Sequence, residues 1–311
     1  MEVFHRPVMT EEVVSLISPQ SGGIYVDATL GGSGHAVEIL KRSGPDARVV
    51  GIDRDEDALC LARRILAPYM ERITLVHEDY RNIKNVLAGL GIKAVDGVVF
   101  DLGISSFQLH GEGRGFSFQR RERLDMRIDR TQTLCARDLV NTLSEKELER
   151  VFRDLGEERH ARAIARAVAR QRERQAIETT DQLSAIVEAA VPRRLWPRNI
   201  HPATRVFQAL RIAVNDELEG LKQGVTAAID MLSPGARIAV ISFHSLEDRI
   251  VKNTFNELAA TCVCPPDFPK CVCGHKNTVR VITKRAVRPT GREVQENPRA
   301  RSAVLRSAQK I

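Results

Sequence analysis

Four carboxylates and a glycine-rich turn hold the first chemistry this sequence offers. The phrase Asp27-Ala28-Thr29-Leu30-Gly31-Gly32-Ser33-Gly34-His35 ends a short apolar run and opens a stretch with helical spacing. Glycines at such a junction let the backbone approach a ligand closely. No Lys-Ser/Thr follows them, so a P-loop is excluded. A dinucleotide pattern would read Gly32-x-Gly34-x-x-Val37, with Val37 where a small residue should allow close packing. Asp53 closes a second run, where a carboxylate accepts hydrogen bonds from both ribose hydroxyls of NAD or of S-adenosylmethionine. A third run leads into Glu78-Asp79-Tyr80, suited to gripping an adenine by edge and face, and a fourth ends at Asp101. Four acidic strand ends around one crevice suit a cationic, phosphate-free cofactor better than a pyrophosphate. S-adenosylmethionine, with its sulfonium and ammonium, is such a cofactor. Each Asp taken singly also fits a helix cap or a solvated loop.

Two further clusters carry chemistry. Cys262-x-Cys264 and Cys271-x-Cys273 place four thiols within twelve residues, with His275 close behind. That is a donor set for a tetrahedral zinc, although only one residue separates each pair where two to four are usual. A reduced, proline-stiffened or redox-sensitive loop is the alternative. Arg159, Arg162, Arg166 and Arg170 are spaced by three, four and four, which forms one stripe on a helix. Ala161, Ile164, Ala165 and Val168 then occupy a face that can pack inward. The stripe reads as a phosphate-tracking surface or as a solvated charged face.

The elements that must position these residues alternate. Runs at 24–28, 48–52, 73–76 and 95–100 read as strands, with helical patterns at 34–42 and 57–66 and between the third and fourth strands. Strands alternating with helices imply a parallel, doubly wound α/β sheet with helices on both faces, whose ligands sit at the carboxyl ends of the strands. The next strand, Arg237 to Ile241, follows the turn Ser233-Pro234-Gly235; 279–283 and 303–306 complete the sheet. The long span between Asp101 and Ala236 exceeds a normal crossover, and its excess is helical. Ser144-x-x-Glu147 and Thr179-x-x-Gln182 look like capping boxes, and Pro202 marks a helix start with an amphipathic pattern running to about Leu232. The expected organisation is therefore a sheet domain, 1–132 with 200–311, and an inserted all-helical, substrate-recognition domain at 133–199.

Composition bounds the function. The chain has 311 residues, 43% of them hydrophobic, enough to bury a sizeable core. No run of about 18 apolar residues crosses a membrane, and the N-terminus lacks a secretory or transit pattern, so the expected compartment is the cytoplasm. Net charge is +7. The surplus is local: residues 236–311 carry 14 Lys and Arg against 6 Asp and Glu, leaving 33 against 34 elsewhere. That favours a polyanionic partner such as nucleic acid over a merely solubilising tail. Cys60 and Cys135 stand alone and read as ordinary buried thiols.

Long, unusual words then carry a resemblance over nearly the whole chain. They include His5-Arg6-Pro7-Val8-Met9, Asp27 to His35, Gly51-Ile52-Asp53-Arg54-Asp55, Asp101-Leu102-Gly103-Ile104-Ser105-Ser106 and Arg114-Gly115-Phe116-Ser117-Phe118. Further along stand Leu124-Asp125-Met126-Arg127, Gly156-Glu157-Glu158-Arg159, His201 to Arg211, Ser242 to Arg249 and Asn297 to Ser302. The chain closely resembles the bacterial 16S ribosomal RNA cytosine-N4 methyltransferase family. The resemblance implies a Rossmann-like methyltransferase domain with a helical insertion. It implies transfer of a methyl group from S-adenosylmethionine to N4 of a cytidine in the decoding region of small-subunit RNA. It also implies cofactor contacts at Ser33, Gly34, His35, Asp53, Tyr80, Asp101 and Gln108. The chain departs from the family at Phe107, where Pro is usual, and at His110, where Asp is usual.

Amino methyltransferases commonly open a short loop after the fourth strand with Asp or Asn, followed by prolines and an aromatic. Here Asp101 opens the loop and Leu102-Gly103-Ile104-Ser105-Ser106-Phe107 follows. Asp101 is the expected catalytic residue, with cofactor binding alone as its alternative role. Phe107 or Phe243 could stack on an unstacked base, and Phe243 and His244 are candidate RNA contacts beside the arginine stripe. The chemistry needs no metal, so any zinc would be structural. A dehydrogenase using the same ribose carboxylate and a non-catalytic RNA-binding protein are the competing readings. Monomer and homodimer both stay open.

Overall fold

The computed structural model describes residues 7–105, 108–109, 111–198, 200–262, 264 and 272–311. The chain divides into two compact units, Met1–Ile104 with Leu218–Ile311, and Ser105–Glu217.

The first unit is built on a seven-stranded sheet. Helix α1 (Thr10–Ile17) precedes β1 (Ile24–Asp27), α2 (Gly34–Arg42), β2 (Arg48–Asp53), α3 (Glu56–Ile65), β3 (Ile73–His77), α4 (Ile83–Gly89) and β4 (Val95–Asp101). The strand order is β3-β2-β1-β4-β5-β7-β6, completed by β5 (Leu232–Ser242), β6 (Val279–Val281) and β7 (Val304–Lys310). Strands β1 to β5 pair in parallel, and β7 runs antiparallel between β5 and β6. This is the doubly wound α/β sheet with helices on both faces expected from the sequence, with β7 as its one antiparallel strand among those described.

Side chains alternate across such strands, so one strand feeds two cores. Tyr25, Val49, Val99, Ala239 and Ile241 enter one apolar cluster with α1, α2 and α3. Val26, Val50, Val98, Phe100, Ile238 and Val240 enter the other. There they meet α4 and two later helices, one at Glu217–Met231 and one at Ser245–Ala259. Helices on both faces explain why these strands read as continuous apolar runs. At Gly51 a Cβ would come within 2.8 Å of Leu30, so the loop after β1 can press onto β2 only because that position has no side chain.

The second unit is helical: α5 (Ala136–Thr142), α6 (Glu145–Asp154), α7 (Ala161–Arg172), α8 (Thr180–Ala190) and α9 (Thr204–Asn215). Ser144 and Glu147 form the expected capping box: Ser144 Oγ accepts from Glu147 N–H at 3.3 Å, and Glu147 Oε2 accepts from Ser144 N–H at 2.8 Å. Gln182 Oε1 likewise accepts from Thr179 N–H at 3.1 Å.

Two boundaries differ from the sequence reading. The amphipathic stretch to Leu232 is two helices, α9 and α10 (Glu217–Met231), because Asp216 adopts a left-handed conformation with φ 50°. The helical unit also extends beyond 133–199, taking in 105–132 and α9. Irregular backbone in 105–132 finds its partners there. Leu124 N–H donates to Glu178 O at 2.9 Å, and Thr180 Oγ1 donates to Arg120 O at 2.6 Å. Asn215 accepts from Ile128 N–H at 2.7 Å and donates to Met126 O at 2.8 Å. Such pairings leave no periodic trace in sequence.

Candidate active site

The loop between β1 and α2 is pinned across the carboxyl edge of the sheet. Ala28 N–H donates to Val99 O at 2.9 Å, and Leu30 N–H donates to Ile52 O at 3.0 Å, tying the loop to the strands on either side. Ser33 holds φ 61°, an uncommon conformation for a residue with a side chain. Backbone strain of this kind collects at functional sites and costs about 1–3 kcal/mol. Helix α2 starts at the next residue, with its first N–H groups at the carboxyl edge of the sheet.

Behind this loop lies a buried polar cluster. Asp27 is 1% exposed and His35 3% exposed. His35 Nε2 lies 3.5 Å from Asp101 Oδ2. Asp101 is oriented from the other side, its N–H donating to Thr29 Oγ1 at 2.6 Å. Burial pushes the Asp27 carboxyl up to about 6, with the His35 ring opposing the shift and Asp101 adding to it. Burial works against a charged His35. The hydrogen-bonding and charge of Asp101, with the charges of Asp27 and Glu293, outweigh it and raise the His35 pKa above its ordinary value. Among the described residues, Ser33 Oγ, His35 Nδ1 and Asp101 Oδ1 are buried here without a hydrogen-bond partner, and His35 Nε2 has only its 3.5 Å approach to Asp101 Oδ2.

Asp53 stands one strand away, at the end of β2. Its Oδ2 accepts from Gly31 N–H at 2.7 Å and its Oδ1 from Asp55 N–H at 2.8 Å. Burial raises its carboxyl to about 6, opposed first by those backbone donors at Asp55 and Gly31. Asp53 keeps partial exposure to solvent. Each carboxylate oxygen has a second lone pair, so two more donors can be accepted.

After β3, Tyr80 packs edge-on against Phe100, with ring centroids 5.4 Å apart, and lies over Gly224 of α10. Asp79 is engaged otherwise than expected. Its Oδ1 accepts from Arg81 N–H at 2.8 Å, and its Oδ2 lies 2.9 Å from Arg81 Nη2 and 3.6 Å from Arg54 Nη1. It is an ion-pair centre, so the acidic edge is made by Asp27, Asp53 and Asp101. Gly34 also has a packing reason, since a Cβ there would come within 2.7 Å of the Pro7 ring.

The loop from β5 into α11 (Ser245–Ala259) crosses beside Asp101, because Asp101 pairs in register with Ile241. A Cβ at Gly103 would lie 3.5 Å from Phe243, so that ring stands over the loop after Asp101. His244 caps α11: its Nδ1 accepts from Glu247 N–H at 3.4 Å, and its Nε2 lies 3.1 Å from Glu247 Oε1. Ser242 Oγ, next to Ile241, is buried without a hydrogen-bond partner among the described residues.

In the helical unit, Gln108 is buried and its Oε1 accepts from Ser105 N–H at 2.8 Å. Arg162, Arg166 and Arg170 are exposed on α7, while Ala161, Ile164, Ala165 and Val168 are buried. Arg159 precedes the helix, so the stripe has three helical members. Arg166 Nε lies 3.6 Å from Glu145 Oε1. Cys262, Cys264 and Cys273 lie between α11 and β6. Phe107, His110 and Cys271 lie outside the described residues.

The donor set fits S-adenosylmethionine. Buried, unpartnered Ser33, His35 and Asp101 atoms await a polar ligand group, since buried polar atoms are otherwise satisfied. Asp53 presents free acceptor capacity, and Tyr80 presents an aromatic ring. Sequence reading missed two supporting residues, Thr29 and Ser242, and gave no sign that Asp27 is buried beside His35. Asp27 and Thr29 stand in the glycine-rich phrase and Ser242 beside Phe243, but their burial and aim are visible only in three dimensions.

The model of the MraW methylase family matches residues 2–311. A protein of Carboxydothermus hydrogenoformans named Ribosomal RNA small subunit methyltransferase H is 51% identical over 311 residues, covering 100% of this chain and 99% of that relative. A protein of Geotalea uraniireducens with the same name is 51% identical over 307 residues, covering 99% and 98%. A match that spans the sheet unit and the helical unit alike, at this identity, means that the chain belongs to the MraW methylase family.

Proposed function

We propose that this chain is an S-adenosylmethionine-dependent methyltransferase that methylates N4 of a cytidine in the decoding region of 16S ribosomal RNA. The observation that carries the reading is the trio of buried, unpartnered atoms Ser33 Oγ, His35 Nδ1 and Asp101 Oδ1 at the carboxyl edge of the sheet. The names of its relatives support the RNA substrate, and the small ribosomal subunit is its expected setting. The cytoplasm is then its compartment; no described helix is long and apolar enough to cross a membrane.

Ser33, His35, Asp53, Tyr80 and Asp101 hold the cofactor, with Gly34 shaping the loop. Bound there, S-adenosylmethionine supplies an electrophilic methyl group. The chain must do the rest. The cytosine amine is a poor nucleophile because its lone pair is delocalised into the ring. Asp101 accepts a hydrogen bond from that amine, favours its developing positive charge and helps its proton to leave. Thr29 holds the Asp101 backbone N–H, and His35 Nε2 stands beside the Asp101 carboxyl. The target base must leave its stack, and Phe243 beside Gly103 offers a ring for it to stack on. Arg159, Arg162, Arg166 and Arg170 contact RNA phosphates from the inserted, substrate-recognition unit. His244 contributes by capping the helix that follows Phe243.

The test is direct. The protein is incubated with labelled S-adenosylmethionine and small ribosomal subunits, with naked 16S RNA in parallel, and the RNA is digested to nucleosides. N4-methylcytidine is the expected product. Label in another nucleoside, or in none with either substrate, overturns the reading.

A further inference from the structure

The connection that returns the chain from α11 to β6 contains three cysteines whose sulfurs converge. Cys262, Cys264 and Cys273 each contribute one Sγ, and these atoms lie within 4.8 Å of one another. The Sγ atoms of Cys262 and Cys273 are 3.9 Å apart. A disulfide would bring such a pair to about 2.05 Å. A tetrahedral zinc with Zn–S bonds of about 2.3 Å separates its sulfur ligands by roughly 3.8 Å. The Cys262–Cys273 spacing matches that of co-ligands, and Cys264 lies within reach of the same ion.

Backbone donors already address the cluster. Cys264 N–H lies 3.4 Å from Cys262 Sγ, and Val272 N–H lies 3.4 Å from Cys264 Sγ. Hydrogen bonds to sulfur favour the thiolate, the form that binds metal. The sheet topology places the cluster far from the methyl-transfer chemistry. Strand β6 runs parallel to β1–β5, so the segment entering it lies at the amino edge of the sheet, opposite Asp53 and Asp101.

We propose that Cys262, Cys264 and Cys273 hold a structural zinc ion. Three thiols give up their protons to solvent and bind as thiolates. The fourth position of the ion is filled by water. The ion closes the chain between positions 262 and 273. It thereby anchors the entry to β6, which has only three residues and borders the sheet beyond β7.

The full chain, purified under reducing conditions without chelator or polyhistidine tag, is assayed for metals by mass spectrometry. About one zinc per chain is expected. After chelator treatment, cobalt(II) titration should give the intense thiolate-to-cobalt absorption of a tetrahedral site. Cys262→Ser and Cys273→Ser should each weaken zinc binding by at least about a hundredfold, more than is lost with a supporting hydrogen bond. Cys60→Ser, an exposed thiol elsewhere in the sheet unit, should leave it unchanged. Far-ultraviolet circular dichroism checks that each variant is folded. A wild-type chain that neither carries zinc nor takes up zinc or cobalt overturns the proposal. So does stoichiometric iron in place of zinc, or binding that survives both Ser substitutions.

Discussion

His35 Nε2 lies 3.5 Å from Asp101 Oδ2 in surroundings where His35 is 3% exposed. Burial favours a neutral ring, yet Asp101, Asp27 and Glu293 together raise the His35 pKa above its ordinary 6.5. A group whose folded pKa is raised contributes stability that is fully present below the unfolded value. That stability is lost as pH rises through the folded value. His35→Gln should therefore cost most stability near about pH 6 and less near about pH 9. Thermal melts of both proteins across that range measure the gap. A gap independent of pH would mean that folding leaves the His35 pKa at its ordinary value.

Asp101→Asn keeps the size of the side chain and removes its charge. The single-turnover methylation rate should fall by about 10²–10⁴ at saturating cofactor, the range for lost acid–base help. Recovery of the wild-type rate at saturating cofactor would make Asp101 a binding residue only.

Asp53→Ala should weaken cofactor binding by roughly tenfold to a thousandfold, because two charge-assisted hydrogen bonds are worth about 1.5–3 kcal/mol each. The structure adds a second effect. Gly31 and Asp55 N–H groups lose their acceptor, so the cofactor-free melting temperature should also drop. Calorimetric titration with S-adenosylhomocysteine reads the first effect, and unchanged affinity would remove Asp53 from the site.

The arginines of α7 differ in their surroundings, which decides the variant to make. Arg166 faces Glu145, whereas Arg162 and Arg170 are exposed and form no ion pair among the described residues. Replacing Arg162 and Arg170 by Gln should flatten the log–log salt dependence of RNA binding by about one to two units. A slope equal to the wild type would leave the stripe as a solvated face.

Seven strands were legible because apolar runs between turn residues are written locally, in side chains a few positions apart. Asp53 and Asp101 could be placed at a ligand edge for the same reason: a parallel sheet puts every strand end on one side. Ser144 and Glu147 announced their helix because a capping box spans only four positions. Asp216 gave no such warning. Its left-handed backbone splits an amphipathic stretch that reads as continuous, and the partners of neighbouring Asn215 are Met126 and Ile128, far away in sequence. Asp27 likewise read as one acidic strand end among four, and Asp79 as its equal. Packing buried the first beside His35 and gave the second to Arg54 and Arg81. Those outcomes depend on which strands become neighbours and how deeply each end is covered. Periodicity encodes the faces of single elements; desolvation and ion pairing arise between elements, where distant positions meet and shift the protonation of Asp27 and His35.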